Sequence, residues 1–243
     1  MSATNLSQQV SPRGNHAERA YQVMLNLILR GRLAPGAPLS RRGLARELQL
    51  GVQPVTEALQ RLEADGLVES LPRVGTRVKV PTEQEIRGHY VVREALESQS
   101  ARLFAEKASS QEKDELSMLA DNLDRSNDHN EDQDPPDAKE LEDYWFELHT
   151  RHAHFHIRIA ECTGCLPLRE AMEKNQIVVF NWLFDMAFQP RKIPALWHTQ
   201  LMQGLNSGSV EVADQHMRTH VRYGMEELLR RRSSYHGLDK GMP

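Results

Sequence analysis

The feature that most constrains this chain is the punctuation of its first third, where three apolar stripes at helical spacing are separated by very short turns. Tyr21, Met24, Leu25, Ile28 and Leu29 recur every three or four residues and predict a helix over 17–30. Gly31 stops it, and the turn over 33–38 carries Pro35, Gly36 and Pro38. Ser40 is placed to cap a second helix, in which Leu44, Ala45 and Leu48 face inward. After Leu50 and Gly51 a third helix is predicted over 54–65, with Val55, Ala58, Leu59 and Leu62 as its buried stripe. Pro54 suits its first turn, where the missing amide would have had no partner in the helix. Gly66 ends it. Two extended runs follow, 67–71 and 76–80, joined by Pro72, Arg73, Val74 and Gly75. Three short helices closed by a basic-tipped hairpin outline a winged helix-turn-helix.

From Thr82 onward the pattern is helical throughout. Segments are predicted over 83–107, 111–126, 139–163, 166–187, 192–206 and 209–232. The stretch 126–138 is acidic, polar and broken by Pro135 and Pro136, so it reads as an exposed loop, while Pro190 and Pro194 mark another break. The expected architecture is mostly α. A disordered tail over 1–14 precedes a winged helix-turn-helix over 15–80, an all-helical antiparallel bundle over 81–232 and a loose tail over 233–243.

Charge separates the same two regions. The whole chain carries −4, yet residues 15–80 hold ten Lys/Arg against six Asp/Glu, and residues 81–243 hold nineteen against twenty-eight. A basic end on an acidic body favours a polyanion docking at one end only. No apolar run approaches the roughly 20 residues that cross a bilayer. The N-terminus lacks an apolar signal core. Two cysteines, Cys162 and Cys165, are too few for a disulfide scaffold and fit a reducing cytoplasm. The sequence therefore predicts a cytoplasmic protein that makes no use of a membrane.

Three sequence words, "LILRGRLAPGAPLS", "LARELQLGVQPVTEALQRLEADGLVE" and "PRVGTRV", fall in the order helix, turn, helix, recognition helix and wing. In that order and without a gap they resemble the DNA-binding domain of the GntR family of transcription regulators. The later words "VVREALESQSARLFAE" and "HAHFHIRIAECTG", with the paired histidines near the C-terminus, resemble the FCD sensor domain of its FadR-like branch. The resemblance covers nearly the whole chain past residue 17 and implies a homodimer bound to a short inverted repeat in double-stranded DNA.

Within that frame Arg41, Arg42, Gln53, Thr56, Arg73 and Gly75 are the candidate DNA contacts. Arg42 matches an arginine that the family keeps in its second helix. Gln53 and Thr56 lie near the start of the recognition helix, where side chains reach base edges. Arg73 and Gly75 form the wing tip, where glycine permits close backbone approach and arginine meets phosphate or the minor groove. The family usually opens the recognition helix with Ser-Arg-x-Pro-Val-Arg, and this chain has Gly51-Val52-Gln53-Pro54-Val55-Thr56. Two arginine forks that bond guanine bidentately are thus replaced by Val52 and Thr56, and the usual operator is not expected.

Histidine carries the second constellation. His152 and His156 are four apart, so on a helix they point the same way, as two ligands of one ion must. The FCD pattern joins an Asp and a His at this spacing to two later histidines, which implies His152, His156, His198 and His220 as a metal-binding set with His152 in place of the usual Asp. Four imidazoles suit Zn²⁺, Ni²⁺ or another late divalent ion better than Mg²⁺ or Ca²⁺. His149 and His216 lie on plausible helical faces nearby, and His154 should point away from His152. Arg93 matches an arginine that pairs with an acidic effector in such domains, which implies a small carboxylate ligand; the plain alternative is a salt bridge with Glu97 at i+4. Cys162 and Cys165 read as flanking a glycine-ended turn, since a zinc ribbon would need a second such pair. Phe180, Trp182, Phe184 and Phe188 read as core or pocket wall. The leading function is a ligand-responsive regulator, most simply a repressor and not an enzyme. The competing classes are a metalloenzyme using the histidine site and a DNA-architectural protein.

Overall fold

The computed structural model describes residues 16–72, 75–127, 138–174 and 193–235. The chain divides into two units after Val80. The first contains α1 (His16–Leu29), β1 (Pro38–Leu39), α2 (Arg41–Glu47), α3 (Val52–Ala64), β2 (Val68–Leu71) and β3 (Gly75–Val78). Ser40 caps α2, its hydroxyl accepting from the Gly43 amide at 3.1 Å. The buried stripes of α2 and α3 include the expected Leu44, Ala45, Val55, Ala58, Leu59 and Leu62; Leu48 is only half-buried.

Helix α1 is turned relative to its predicted stripe, burying Ala17, Ala20, Met24 and Ile28. Tyr21 stays at the rim for a polar reason: its hydroxyl donates to Asp65 at 2.7 Å, and the Arg61 guanidinium lies 4.2 Å above its ring. Helix α3 starts two residues earlier than predicted, with Gly51 as its extended N-cap, so Val52 and Gln53 belong to its first turn. The sheet has three strands in the order β1-β3-β2, all antiparallel. The extra strand, β1, is two residues long, too short for alternation to show in a sequence. It pairs Pro38 with Arg77 and Leu39 with Thr76.

The second unit contains α4 (Glu83–Lys107), α5 (Ser110–Asn127), α6 (Ala138–Glu161), α7 (Leu166–Lys174), α8 (Trp197–Leu205) and α9 (Val210–Tyr235). Thr82 and Glu85 form a reciprocal capping box at the start of α4. Helix α4 packs along α9, α8 packs against α5, α9 and α4, and α6 packs against α5, α4 and α7. Ile86, Phe104, Leu116, Phe155 and Ile159 are fully buried at the centre. Most of the predicted loop over 126–138, the second half of the predicted 166–187 helix, and Phe180, Trp182, Phe184 and Phe188 lie outside the described residues. Helix α9 continues to Tyr235, three residues beyond its predicted end.

Helix α8 begins at Trp197 rather than 192 because Leu196 before it adopts a left-handed conformation (φ 56°) that no helix can include. Leu196 offers no side-chain cap. Asp124 of α5 supplies the cap from 74 residues away: one carboxylate oxygen accepts from the His198 amide at 3.0 Å, the other from the Thr199 amide at 2.8 Å and its hydroxyl at 2.7 Å.

Near the other end of α8, Gly204 lets α9 come close. A Cβ at this position would lie 2.3 Å from Cγ and 2.6 Å from Cβ of His216. Those atoms sit at the root of the side chain, so the helices themselves would have to shift. Gly204→Ala should therefore destabilise the second unit by about 1–3 kcal/mol despite its better helix propensity. Urea unfolding checks this, and a stabilised variant would show that α8 and α9 are not in close contact there.

Candidate functional site

In the first unit the candidate DNA contacts form an accessible set on α2 and α3. Arg41, Arg42 and Gln53 are exposed and Thr56 is half-buried. Gln53 donates to Glu57 at 3.2 Å, and the Thr56 hydroxyl donates to the Val52 carbonyl at 2.9 Å, so these side chains lie along the helix surface. Val52 is itself exposed. Gly75 opens β3 at φ 116°, a conformation that favours glycine, and a Cβ there would meet no atom within 4 Å. Arg73 lies outside the described residues.

In the second unit the four predicted histidines arrive from three helices: His152 and His156 from α6, His198 from α8 and His220 from α9. His156, His198 and His220 are buried and His152 is half-buried. Nε2 of His152 and Nε2 of His156 lie 3.1 Å apart. Together with His220 they form a group whose ring nitrogens, one from each, lie within 4.8 Å of one another. His198 stands beside this group, its ring centre 5.1 Å from that of His152 and 5.3 Å from that of His220. Of the other histidines, His149 is buried beside Trp145, with ring centres 6.4 Å apart, and His154 is exposed. His216 is exposed at the α8–α9 contact, its Nδ1 3.2 Å from the Gln200 carbonyl.

The donor set fits a divalent ion. Two nitrogens each about 2.1 Å from one ion lie about 3.0–3.4 Å apart, which is the separation of the His152 and His156 nitrogens. A site built from imidazoles favours zinc, nickel and their neighbours over the oxygen-seeking Mg²⁺ and Ca²⁺.

Buried charge surrounds the cluster. Arg93 donates through Nε to Glu97, the i+4 pairing, and its guanidinium lies 5.4 Å from the Tyr90 ring centre. The second Glu97 oxygen is 2.7 Å from Nδ1 of His156, at ion-pair distance but off the hydrogen-bond axis. Burial opposes the charged form of Glu97, yet the Arg93 guanidinium and His156 outweigh it and hold the carboxyl below the usual range. Burial likewise opposes the Arg93 charge, and Glu97 more than compensates. Nδ1 of His198 is 2.8 Å from Asp124, whose carboxyl is also held low, against its burial, by His198 and Thr199.

Arg93, His152, His198 and His220 line one cavity of about 20 Å³, closed by Ile193, Trp197, Tyr223 and Gly224. That is room for about one water molecule or one coordinating atom. Trp197 stacks on His220, with ring centres 5.2 Å apart and planes 18° from parallel. It also lines a larger recess of about 410 Å³ between α8 and α9, with Gln200, Leu201, Gln215 and Thr219.

Nothing in the sequence singles out Asp124, Trp197 or Tyr223, and Glu97 stands out there only as the i+4 partner of Arg93. Helical spacing reveals that pair, but Asp124 is too distant in sequence from His198 for any local signal. Both cysteines are free, and burial pushes the Cys162 thiol up to about 12.

A three-helix unit with a small winged sheet, followed by a helical bundle enclosing a histidine cluster, defines a class of DNA-binding regulator with a separate sensor unit. Residues 16–78 match the bacterial regulatory proteins of the gntR family, and residues 89–223 match the FCD domain. The chain belongs to the GntR family of transcription regulators and carries an FCD ligand-binding domain. It is 24% identical over 213 residues to the HTH-type transcriptional repressor RspR of Escherichia coli K12, covering 88% of this chain and 89% of that protein. Over 78 residues it is 41% identical to the "Probable D-xylose utilization operon transcriptional repressor" of Paenarthrobacter nicotinovorans, covering 32% of this chain and 34% of that one. Among solved structures, E. coli McbR/YncC shares the fold with a TM-score of 0.65 at 18% identity, over 91% of this chain and 99% of that chain. No helix among the described residues is long and apolar enough to cross a membrane.

The buried ion pair makes one mutational prediction. Glu97→Ala leaves Arg93 buried without its counter-charge, and the second unit should lose about 3–5 kcal/mol of stability. Denaturant unfolding checks this, and a loss below about 1 kcal/mol would show that water reaches Arg93.

Proposed function

We propose that this chain is a cytoplasmic, ligand-responsive repressor. In this reading it binds an inverted repeat as a homodimer, and its helical unit senses a small carboxylate at a metal centre. The observation that carries the sensor half is the convergence of imidazoles beside Arg93 around a small cavity. His152, His156, His198 and His220 would hold one divalent ion, zinc or nickel by donor type. A bound ion would supply a Lewis-acid point for one carboxylate oxygen.

The chain's own charges favour that ligand class. Around the cluster, Arg93 stands against Glu97 and Asp124, which leaves one net negative charge when the imidazoles are neutral. A divalent cation together with a monocarboxylate brings the region to neutrality. Arg93 lines the cavity, so it can meet one oxygen of the anion while Glu97 keeps its position fixed. Effector and operator then influence each other only through the difference in effector affinity between the DNA-bound and free forms.

On the DNA side, Arg41, Arg42 and Arg73 are assigned to phosphate, Gln53 and Thr56 to base edges, and Gly75 to the close approach of the wing. Exposed Val52 offers a thymine methyl contact in place of a guanine fork. Selection from random duplexes should return a short inverted repeat. Arg42→Ala should weaken binding to it and reduce the salt slope by about 0.9, the amount that one neutralised phosphate contributes. Recovery of only asymmetric sites would refute the dimeric mode, and an unchanged slope would remove Arg42 from the interface.

Metal analysis tests the sensor half, on protein purified without a histidine tag or nickel resin. After dialysis against Zn²⁺ or Ni²⁺ the wild type should retain about one ion per chain. His→Ala at 152, 156, 198 or 220 should each reduce both occupancy and the metal-dependent rise in Tm. Wild-type protein that stays metal-free would reject the site while leaving the DNA-binding reading intact.

A further inference from the structure

Two of the four imidazoles have a buried carboxylate close behind the ring, hydrogen-bonded in one case and at ion-pair distance in the other. Nδ1 of His156 faces Glu97 at 2.7 Å, and Nδ1 of His198 faces Asp124 at 2.8 Å. The carboxylates come from α4 and α5, whereas the histidines come from α6 and α8. All four side chains are almost completely buried, the carboxylates at 4% and 5% exposure. An imidazole with Nδ1 committed to a carboxylate keeps Nε2 as its metal-binding nitrogen, and the negative charge behind the ring makes that nitrogen a better donor. In His156, beside which Glu97 stands at ion-pair distance, Nε2 is the atom 3.1 Å from His152.

We propose that Glu97 and Asp124 are the positioning residues of the metal centre. Each holds its histidine with Nε2 available to the cluster and supplies, from behind the ring, negative charge that four neutral imidazoles lack. The inference rests on the metal-binding reading of the cluster. The two carboxylates are not equivalent. Glu97 shares its charge with Arg93, whereas Asp124 is held by the ring and amide of His198 and the amide and hydroxyl of Thr199. Asp124 also fixes the first turn of α8, so the same carboxylate sets the position of the His198 backbone and the orientation of its ring. It is therefore expected to be the stronger of the two.

The test uses the full-length untagged chain and zinc alone. Zinc affinity is measured by competition with a chromophoric chelator for wild type, Asp124→Asn, Glu97→Gln and Thr199→Val. Melting of each metal-free protein in EDTA is recorded separately. The two carboxylate variants should bind zinc about 10–100-fold more weakly, with Asp124→Asn the more affected. Thr199→Val removes a bond to the other Asp124 oxygen while leaving the His198 contact, and should change zinc affinity less than about threefold. If Asp124→Asn does not fold, Glu97→Gln decides. Variants that melt earlier without zinc yet bind it as tightly as wild type would show a purely structural role and overturn the proposal. A wild-type chain that binds no zinc would overturn the metal reading itself, and this inference with it.

Discussion

Asp124 is where the demands of the helical unit meet. A helix start buried in protein needs partners for its first amides, and α8 has no capping side chain of its own because its N-cap residue, Leu196, carries no hydrogen-bond acceptor. The Asp124 carboxylate satisfies two of those amides and the Thr199 hydroxyl while holding the His198 ring. Helix α8 in turn carries Trp197, which stacks on His220 and closes the small cavity. The position of one acidic side chain on α5 therefore governs a ligand candidate and the wall of the cavity. Burying that carboxylate is tolerable because its charge is met by donors on every side that the helix start provides.

The Arg93–Glu97–His156 chain does similar work between α4 and α6. A buried ion pair adds little stability over an apolar replacement, but it fixes geometry, because neither charge can move without losing its partner. Here it ties α4 to α6 and leaves Arg93 lining the cavity. The DNA-binding unit is organised differently. Its core is apolar and its polar contacts, such as Tyr21 to Asp65 and Arg61 to Glu18, lie at the rim. Arg41, Arg42 and Gln53, the proposed DNA contacts, are left exposed.

Local patterns carry the fold a long way. The buried stripe of α3, the cap at Ser40 and the length of α4 follow from spacing and terminal chemistry, and each is readable within a few residues. Strand β1 is hidden because two residues cannot show alternation, and the face of α1 departs from its apolar spacing because the Tyr21 hydroxyl has a partner in Asp65. In the candidate site, the i,i+4 pair of His152 and His156 is visible from helical geometry, and His198 and His220 enter through family resemblance. The supporting carboxylates divide along the same line. Glu97 lies one helical turn from Arg93, so their pairing is legible. Asp124 meets His198 only because α5 and α8 pack together, a fact that no local pattern contains.

Whether the imidazole cluster of this GntR regulator is a single metal centre can be decided by anomalous diffraction from crystals of the untagged protein loaded with zinc, collected on both sides of the zinc edge. One strong peak per chain is expected, about 2.1 Å from ring nitrogens of His152, His156, His198 and His220, with Asp124 and Glu97 behind the rings and outside bonding distance of the ion. Zinc found only at surface sites, with the four rings packed against each other and no peak between them, would contradict it.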